Sequence, residues 1–245
     1  MTTRDKDEMS ESGSEFVGYE IRDNVAWARL DHGKANALSA EVLTALDRCL
    51  TLAEDDAAVG ALCITGKPGF LTGGFDLSVM KSGDAKGMVE LVSQGGALFT
   101  RIYASGLPVV VACPGHAVAA GALLCLAADE RIGSAGAFRI GLIETQIGMV
   151  LPRWAIEFAE ERLSKRHFQT AVVGARMYGP AAARDAGYFD AVVAPEELDD
   201  AAQAAAVVWA ALPGPTYAGQ VTQVRGARIA KLEAAVAADR AFAGS

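Results

Sequence analysis

The sequence predicts an α/β protein in which strands alternate with helices and a helical region closes the chain. Three observations predict it. Short apolar runs rich in β-branched residues, of which Val109-Val110-Val111-Ala112-Cys113 is the clearest, alternate with stretches of helical periodicity. That alternation implies βαβ units with right-handed crossovers. Beyond Pro152 the texture changes to alanine-rich helix.

Residues 1–15 are polar and charged and predict a disordered tail, neither a signal peptide nor an anchor. Residues 25–30 read as a strand entering the core, and Asp31-His32-Gly33-Lys34 as a turn. Ser39 suits the N-cap of a helix, with Leu38 packing on Leu43 as a hydrophobic staple. Val42, Leu46, Cys49, Leu50 and Ala53 then follow helical spacing. Residues 59–65 form a buried strand ended by Gly66. Residues 84–103 predict a long helix with Val89, Val92, Leu98, Phe99 and Ile102 on its inner face. The strand at 108–113 is broken by Pro114-Gly115, a helix resumes over 119–128, and a strand returns at 129–134. Helices follow over 154–162, 165–173 and 180–186, then a short strand over 188–193. Two last helices are predicted over 196–212 and 216–242, separated by Pro213-Gly214-Pro215.

With 245 residues, 51% hydrophobic and 21% charged, the chain can bury one large core. Its formal charge of −8 and the lack of any basic run longer than Lys165-Arg166 remove the electrostatic footprint of a nucleic-acid binder. The longest apolar stretch, residues 107–113, is too short to span a bilayer. Cys49, Cys63, Cys113 and Cys125 form no CxxC pair and sit in apolar runs, as reduced cysteines of a cytoplasmic protein do. His32, His116 and His167 have no metal-ligand spacing, and no metal is expected. His116 reads as a turn residue packed beside the site. The glycine-rich stretch 69–74 lacks the Lys-Ser/Thr of a phosphate loop.

Two stretches carry chemistry. Pro114 to Gly121 reads as a tight turn opening a helix with small residues, which leaves main-chain N–H groups free. Gly141 to Gly148 places one carboxylate, Glu144, among Leu142, Ile143, Ile147 and Met149. Backbone donors plus one acid in apolar surroundings suit proton transfer beside a carbonyl.

Four segments, in order, resemble the crotonase superfamily, the enoyl-CoA hydratase/isomerase group. They are Lys34-Ala35-Asn36-Ala37-Leu38-Ser39, the loop from Phe70 to Asp76, residues 108–129, and residues 138–152. The resemblance runs from about Val17 to the C-terminus. It implies a crotonase-like ββα spiral core over 16–194 and a helical trimerisation region over 195–245, assembled as a homo-trimer or hexamer. It implies an acyl-CoA thioester substrate in fatty-acid metabolism, with no cofactor beyond the coenzyme A of the substrate. The oxyanion donors would be the main-chain N–H groups of Phe75 and Ala120, and Glu144 would be the catalytic acid/base. Coenzyme A would lie along Lys34, Ala35, Ala37, Gly73, Asp76, Leu77 and Ser78, with Lys34 meeting a phosphate.

The chain departs from the hydratase pattern at Leu123, where that pattern has its first glutamate. It also has Pro152-Arg153-Trp154 where the family usually has a glycine-rich run. Leucine cannot orient a water. One glutamate suffices to shuttle a proton between carbons, which favours an enoyl-CoA isomerase. Two alternatives stay open: a hydratase using Glu144 alone or an acid from elsewhere, and a non-catalytic acyl-CoA binder. Met80, Met88, Phe99, Met149 and Trp154 are candidates for either pocket wall or core. Trp209, Ile229 and Leu232 call for a partner or a core.

Overall fold

The computed structural model describes residues 14–242. The tail expected over 1–15 lies outside them except for its last two residues. Ser14 is ordered by its own chemistry, its hydroxyl accepting the N–H groups of Phe16 and Val17 at 3.2 and 3.1 Å.

The chain opens with β1 (Val17–Arg22), β2 (Val25–Leu30) and helix α1 (Ala40–Asp55). Next come β3 (Ala61–Thr65), β4 (Gly69–Thr72), the short α2 (Leu77–Met80) and the long α3 (Ala85–Ala104). A further round gives β5 (Val109–Cys113), β6 (Gly115–Val118) and α4 (Ala120–Ala127). Then β7 (Glu130–Ser134) and β8 (Ile140–Gly141) lead to a 3-10 turn over Glu144–Ile147. The remainder is α5 (Arg153–Arg162), α6 (Lys165–Val172), α7 (Pro180–Ala186), β9 (Ala191–Val193), α8 (Leu198–Ala210) and α9 (Gly214–Phe242).

From β3 onward, successive strands alternate between two sheets. The large sheet has order β1-β2-β3-β5-β7-β9, with β1 antiparallel to β2 and every other pair parallel. The small sheet, β4-β6-β8, is parallel throughout. Each turn of the spiral therefore places one strand in each sheet before a helix returns the chain. The continuous apolar runs of β3 and β5 arise because both sheet faces are covered. Leu62, Ile64, Val109 and Val111 face α1, α3 and α4. Ala61, Cys63, Val110 and Ala112 face the small side chains Ala202 and Ala206 of α8. All four cysteines are free and buried.

The sequence reading missed β1 and all three strands of the small sheet. Where it had a turn over Pro114–Gly121, the chain first pairs as β6 and only then turns at Ala119. His116 is accordingly a strand residue. Its Nδ1 accepts the Arg139 N–H at 3.0 Å, and its ring sits between Phe70 and Phe138. The predicted N-cap is present, with Ser39 Oγ accepting the Val42 N–H at 3.3 Å.

The last helix packs back on its own chain. Leu232 is wholly buried, Ile229 packs against the core, and the Trp209 indole N–H donates to Glu130 at 2.7 Å. Arg225 fastens α9 to the start of β7 through an ion pair with Asp129, whose side chain is 2% exposed. Breaking a buried pair strands the remaining charge. Arg225→Ala is expected to cost about 3–5 kcal/mol and to lower Tm by about 10 °C, measured by calorimetric unfolding.

Candidate active site

The small sheet builds the site. Past the end of β4, Gly73 N–H donates to Ala35 O at 2.8 Å, Leu38 N–H to Gly74 O at 2.9 Å, and Asp76 N–H to Leu38 O at 3.1 Å. Leu38 and Phe75 thus form one parallel bridge. Gly74 O and Asp76 N–H face Leu38, so the intervening Phe75 N–H points to the opposite side. Asn36 braces this corner. Its Nδ2 donates to Leu30 O at 3.0 Å and Leu71 O at 2.8 Å, and its Oδ1 accepts the His32 N–H at 2.7 Å.

On the next strand, Ala119 N–H donates to Gly141 O at 2.9 Å. Ala119 has φ 53° and ψ −119°, a conformation that L-residues avoid, and its sharp turn starts α4 at Ala120. The main-chain nitrogen of Ala120 lies 3.7 Å from the point that a Cβ on Gly74 would occupy. Phe75 and Ala120 therefore share one corner, and among the described residues neither N–H has a protein acceptor. Gly121 lets α4 approach this closely, since a Cβ there would stand 2.5 Å from Thr72 O.

Beside this corner is a cavity of about 300 Å³. Gly73, Gly74, Phe75 and Leu77 line one side, and Ala119, Leu123 and Glu144 another. Glu144 opens the 3-10 turn, which is held by Met149 N–H on Glu144 O at 2.9 Å and by Gln146 Nε2 on Ala175 O at 2.7 Å. The Glu144 Oε2 is buried with no hydrogen-bond partner. Burial pushes its carboxyl above the usual carboxylate range, and the main-chain N–H groups of Glu144 and Ile143 offset part of that rise. Leu123 is 2% exposed and presents only hydrocarbon to the same cavity. The arrangement can bind an oxyanion with two main-chain donors while one carboxyl exchanges a proton beside it.

The family model for enoyl-CoA hydratase/isomerase matches residues 20–242. The chain belongs to the enoyl-CoA hydratase/isomerase family. A solved structure of a family protein from Pseudomonas syringae superposes with TM-score 0.89 at 43% identity, covering 92% of this chain and 97% of that one. Human mitochondrial enoyl-CoA delta isomerase 1 is 31% identical over 201 residues, 81% of this chain and 66% of its own length. The chain thus spans just under two thirds of the human relative. The solved human mitochondrial delta3-delta2-enoyl-CoA isomerase superposes with TM-score 0.87 at 28% identity, covering 94% of this chain and 92% of that one.

Set on this crotonase fold, the residues singled out in the sequence divide into three groups. Gly73, Phe75, Leu77, Leu123 and Glu144 meet at the cavity, with the Ala120 main chain at its corner. Lys34 is exposed on the turn after β2, outside the cavity lining, and Ala35 and Ala37 flank Asn36 beside Gly73. Asp76 and Ser78 do not reach the cavity. Asp76 caps α2, accepting Ser78 N–H at 2.7 Å and Ser78 Oγ–H at 2.8 Å, and these bonds lower its pKa. Both residues line a neighbouring groove that also carries Glu41, Asp84 and Glu90, a poor surface for phosphates. Met80, Met88, Met149 and Trp154 line the cavity, whereas Phe99 is core.

Two polar cavity residues escaped the sequence reading. Ser93 of α3 is fully buried, and Asp239 of α9 brings a second carboxyl into the lining. A signal existed for both. Ser93 falls in the helical stripe Val89, Val92, Ser93, Gly96, and Asp239 in the stripe Leu232, Ala235, Val236, Asp239. A polar residue in an apolar stripe marks a buried polar group. Among the described residues no helix is long and apolar enough to cross a membrane.

Proposed function

We propose that this chain is an enoyl-CoA isomerase acting on 3-enoyl-CoA thioesters. The Glu144 carboxylate takes a proton from C2. The electrons released form a dienolate whose oxygen accepts hydrogen bonds from the N–H groups of Phe75 and Ala120. Glu144 then returns the proton at C4, and the double bond moves to C2–C3. One proton leaves and one returns, no electrons are transferred, and coenzyme A stays on the substrate. The coenzyme lies along Lys34, Ala35, Ala37, Gly73 and Leu77 in this reading, with Lys34 free to meet a phosphate. The cytoplasm is its proposed location, resting on four buried, unpaired cysteines.

One observation carries the proposal: a carboxyl with a buried, unpartnered oxygen shares its cavity with Leu123. Hydration needs a water held and activated beside the double bond, and Leu123 offers no hydrogen bond for it. Asp239 gives the hydratase alternative an acid from elsewhere, so the two reactions need direct comparison.

Wild-type protein is expected to convert a 3-enoyl-CoA to the 2-enoyl isomer. Glu144→Gln is expected to lower kcat by about 10²–10⁴-fold, followed by product chromatography. Hydration of a 2-enoyl-CoA on the order of 10 s⁻¹ or faster would overturn the isomerase reading. Binding of both substrates without turnover would favour a non-catalytic acyl-CoA binder. The base must be ionised to accept the C2 proton, so kcat/KM falls as pH drops through the Glu144 pKa. Because burial raises that pKa, the fall is expected above the ordinary glutamate value of about 4.3.

We further propose a homo-trimer or hexamer. Trp209, Ile229 and Leu232 find their partners inside the chain, but Val208 and Val224 on the C-terminal helices and Leu212 in the connection between them are 70, 78 and 45% exposed. Light scattering at micromolar concentration is expected to give at least three times the chain mass, and a monomer would contradict it.

A further inference from the structure

The cavity is open at one end and closed at the other. Leu77, Ile147 and Val150 line it and are 59, 55 and 91% exposed. Leu123, Ser93 and Trp154 line it too and are 2, 0 and 0% exposed. The first three mark a mouth and the last three a blind end. Coenzyme A carries phosphates, and burying unpaired charge in apolar surroundings is unfavourable. With the coenzyme kept at the mouth, an acyl chain extends inward.

Helix α3 shows what ends the cavity. Val89, Val92 and Ser93 form one stripe of this helix, and all three line the cavity. Gly96 is the next position of the stripe, and there the Trp154 indole of α5 takes over. A Cβ on Gly96 would stand 2.7 Å from Trp154 Cε2 and 2.8 Å from its Nε1, so only glycine lets the ring approach α3 this closely. Two further rings brace the indole edge-on, Phe99 at 6.0 Å and Phe158 at 6.4 Å between centroids. Both are buried. The indole is thus held by α3, Phe99 and Phe158, and the free space that it borders is the cavity.

The volume bounds what fits. A water-sized group occupies about 30 Å³, so a cavity of about 300 Å³ holds about ten carbon and oxygen atoms, the thioester carbonyl included. A chain that overruns the blind end must displace packed rings, and overpacking a core is unfavourable. The indole needs no bond to the ligand to act in this way.

We propose, on the acyl-CoA reading of this cavity, that the substrate carries a medium-length acyl chain of about six to ten carbons, and that Trp154, seated on Gly96, is the stop that sets this length. Each methylene buried before the stop adds affinity, and each one beyond it removes affinity. The two residues act in opposite senses. A smaller side chain at 154 deepens the cavity, whereas a methyl group at 96 drives the indole into it.

The test is binding to the full chain, by titration calorimetry, of saturated acyl-CoAs from butanoyl to tetradecanoyl. These thioesters do not isomerise, so the result stands whether or not Glu144 shuttles a proton. Affinity is expected to rise about tenfold for every two carbons, to peak between hexanoyl and decanoyl, and then to fall. Trp154→Leu is expected to move the peak to chains about two carbons longer or more, and Gly96→Ala to shorter ones. Trp154→Phe keeps a ring against Phe99 and Phe158 and is expected to lengthen the preferred chain by a smaller step. Wild-type affinity still rising at tetradecanoyl would overturn the proposal, because the tail then leaves through the mouth. An unmoved peak in the folded Trp154 variants would also overturn it, by placing the stop elsewhere. If no thioester binds more tightly than coenzyme A alone, the acyl-CoA reading itself falls and the proposal with it.

Discussion

The small parallel sheet is the constraint on which the site depends. Its main-chain hydrogen bonds register three separate loops against one another. The β4 end is fixed by Leu38 on both sides of Phe75, and the β6 end is fixed to β8 by Ala119 on Gly141. Glu144 follows Gly141 by three residues, so the same rungs that aim the Ala120 N–H also set the carboxyl's distance from it. The donors are main-chain atoms, so their side chains are free to vary. Phe75 uses that freedom to pack its ring on Gly95 of α3, and Ala120 to bury a methyl group.

The corner stores unfavourable terms that the surrounding core must offset. Ala119 holds a backbone conformation costing on the order of 1–3 kcal/mol, and Glu144 buries an oxygen with no partner. Two covered faces of the large sheet supply the opposing term, with α1, α3 and α4 on one side and α8 on the other. The same core keeps water from the acid, which is why its carboxyl lies above the ordinary range. Stability and reactivity are linked here through burial. A fully hydrated Glu144 would relieve the fold and would lose its raised proton affinity, on which the proposed proton transfer between carbons relies.

Much of this was legible in the sequence because it rests on long, periodic or β-branched segments. The strands at Ala61–Thr65 and Val109–Cys113 announce themselves by apolar runs, and the helices at Ala40–Asp55 and Ala85–Ala104 by the helical spacing of their apolar residues. The small sheet does not. Its strands are Gly69–Thr72, Gly115–Val118 and Ile140–Gly141, too short for an alternation to register and rich in glycine. They pair because parallel neighbours in the large sheet deliver them side by side, which is tertiary information. Glu144 was legible from its apolar neighbours, and Leu123 from the missing carboxyl. Asp239 showed as a polar residue in an apolar stripe, but its meeting with Glu144 did not show, because 95 positions separate the two and only the return of the last helix brings them to one cavity. Trp209 and Leu232 were read as wanting a partner or a core, and the core of the same chain supplies it.

The central claim is geometric: two main-chain donors and one carboxyl converge on the two ends of a single reacting unit. A crystal structure of the protein with a non-isomerising acyl-CoA tests it most directly. The account places the thioester oxygen at about 2.7–3.1 Å from both the Phe75 and Ala120 nitrogens, with a Glu144 oxygen about 3–3.5 Å from C2. A thioester bound away from those nitrogens, or a Glu144 carboxyl turned into solvent, would contradict it.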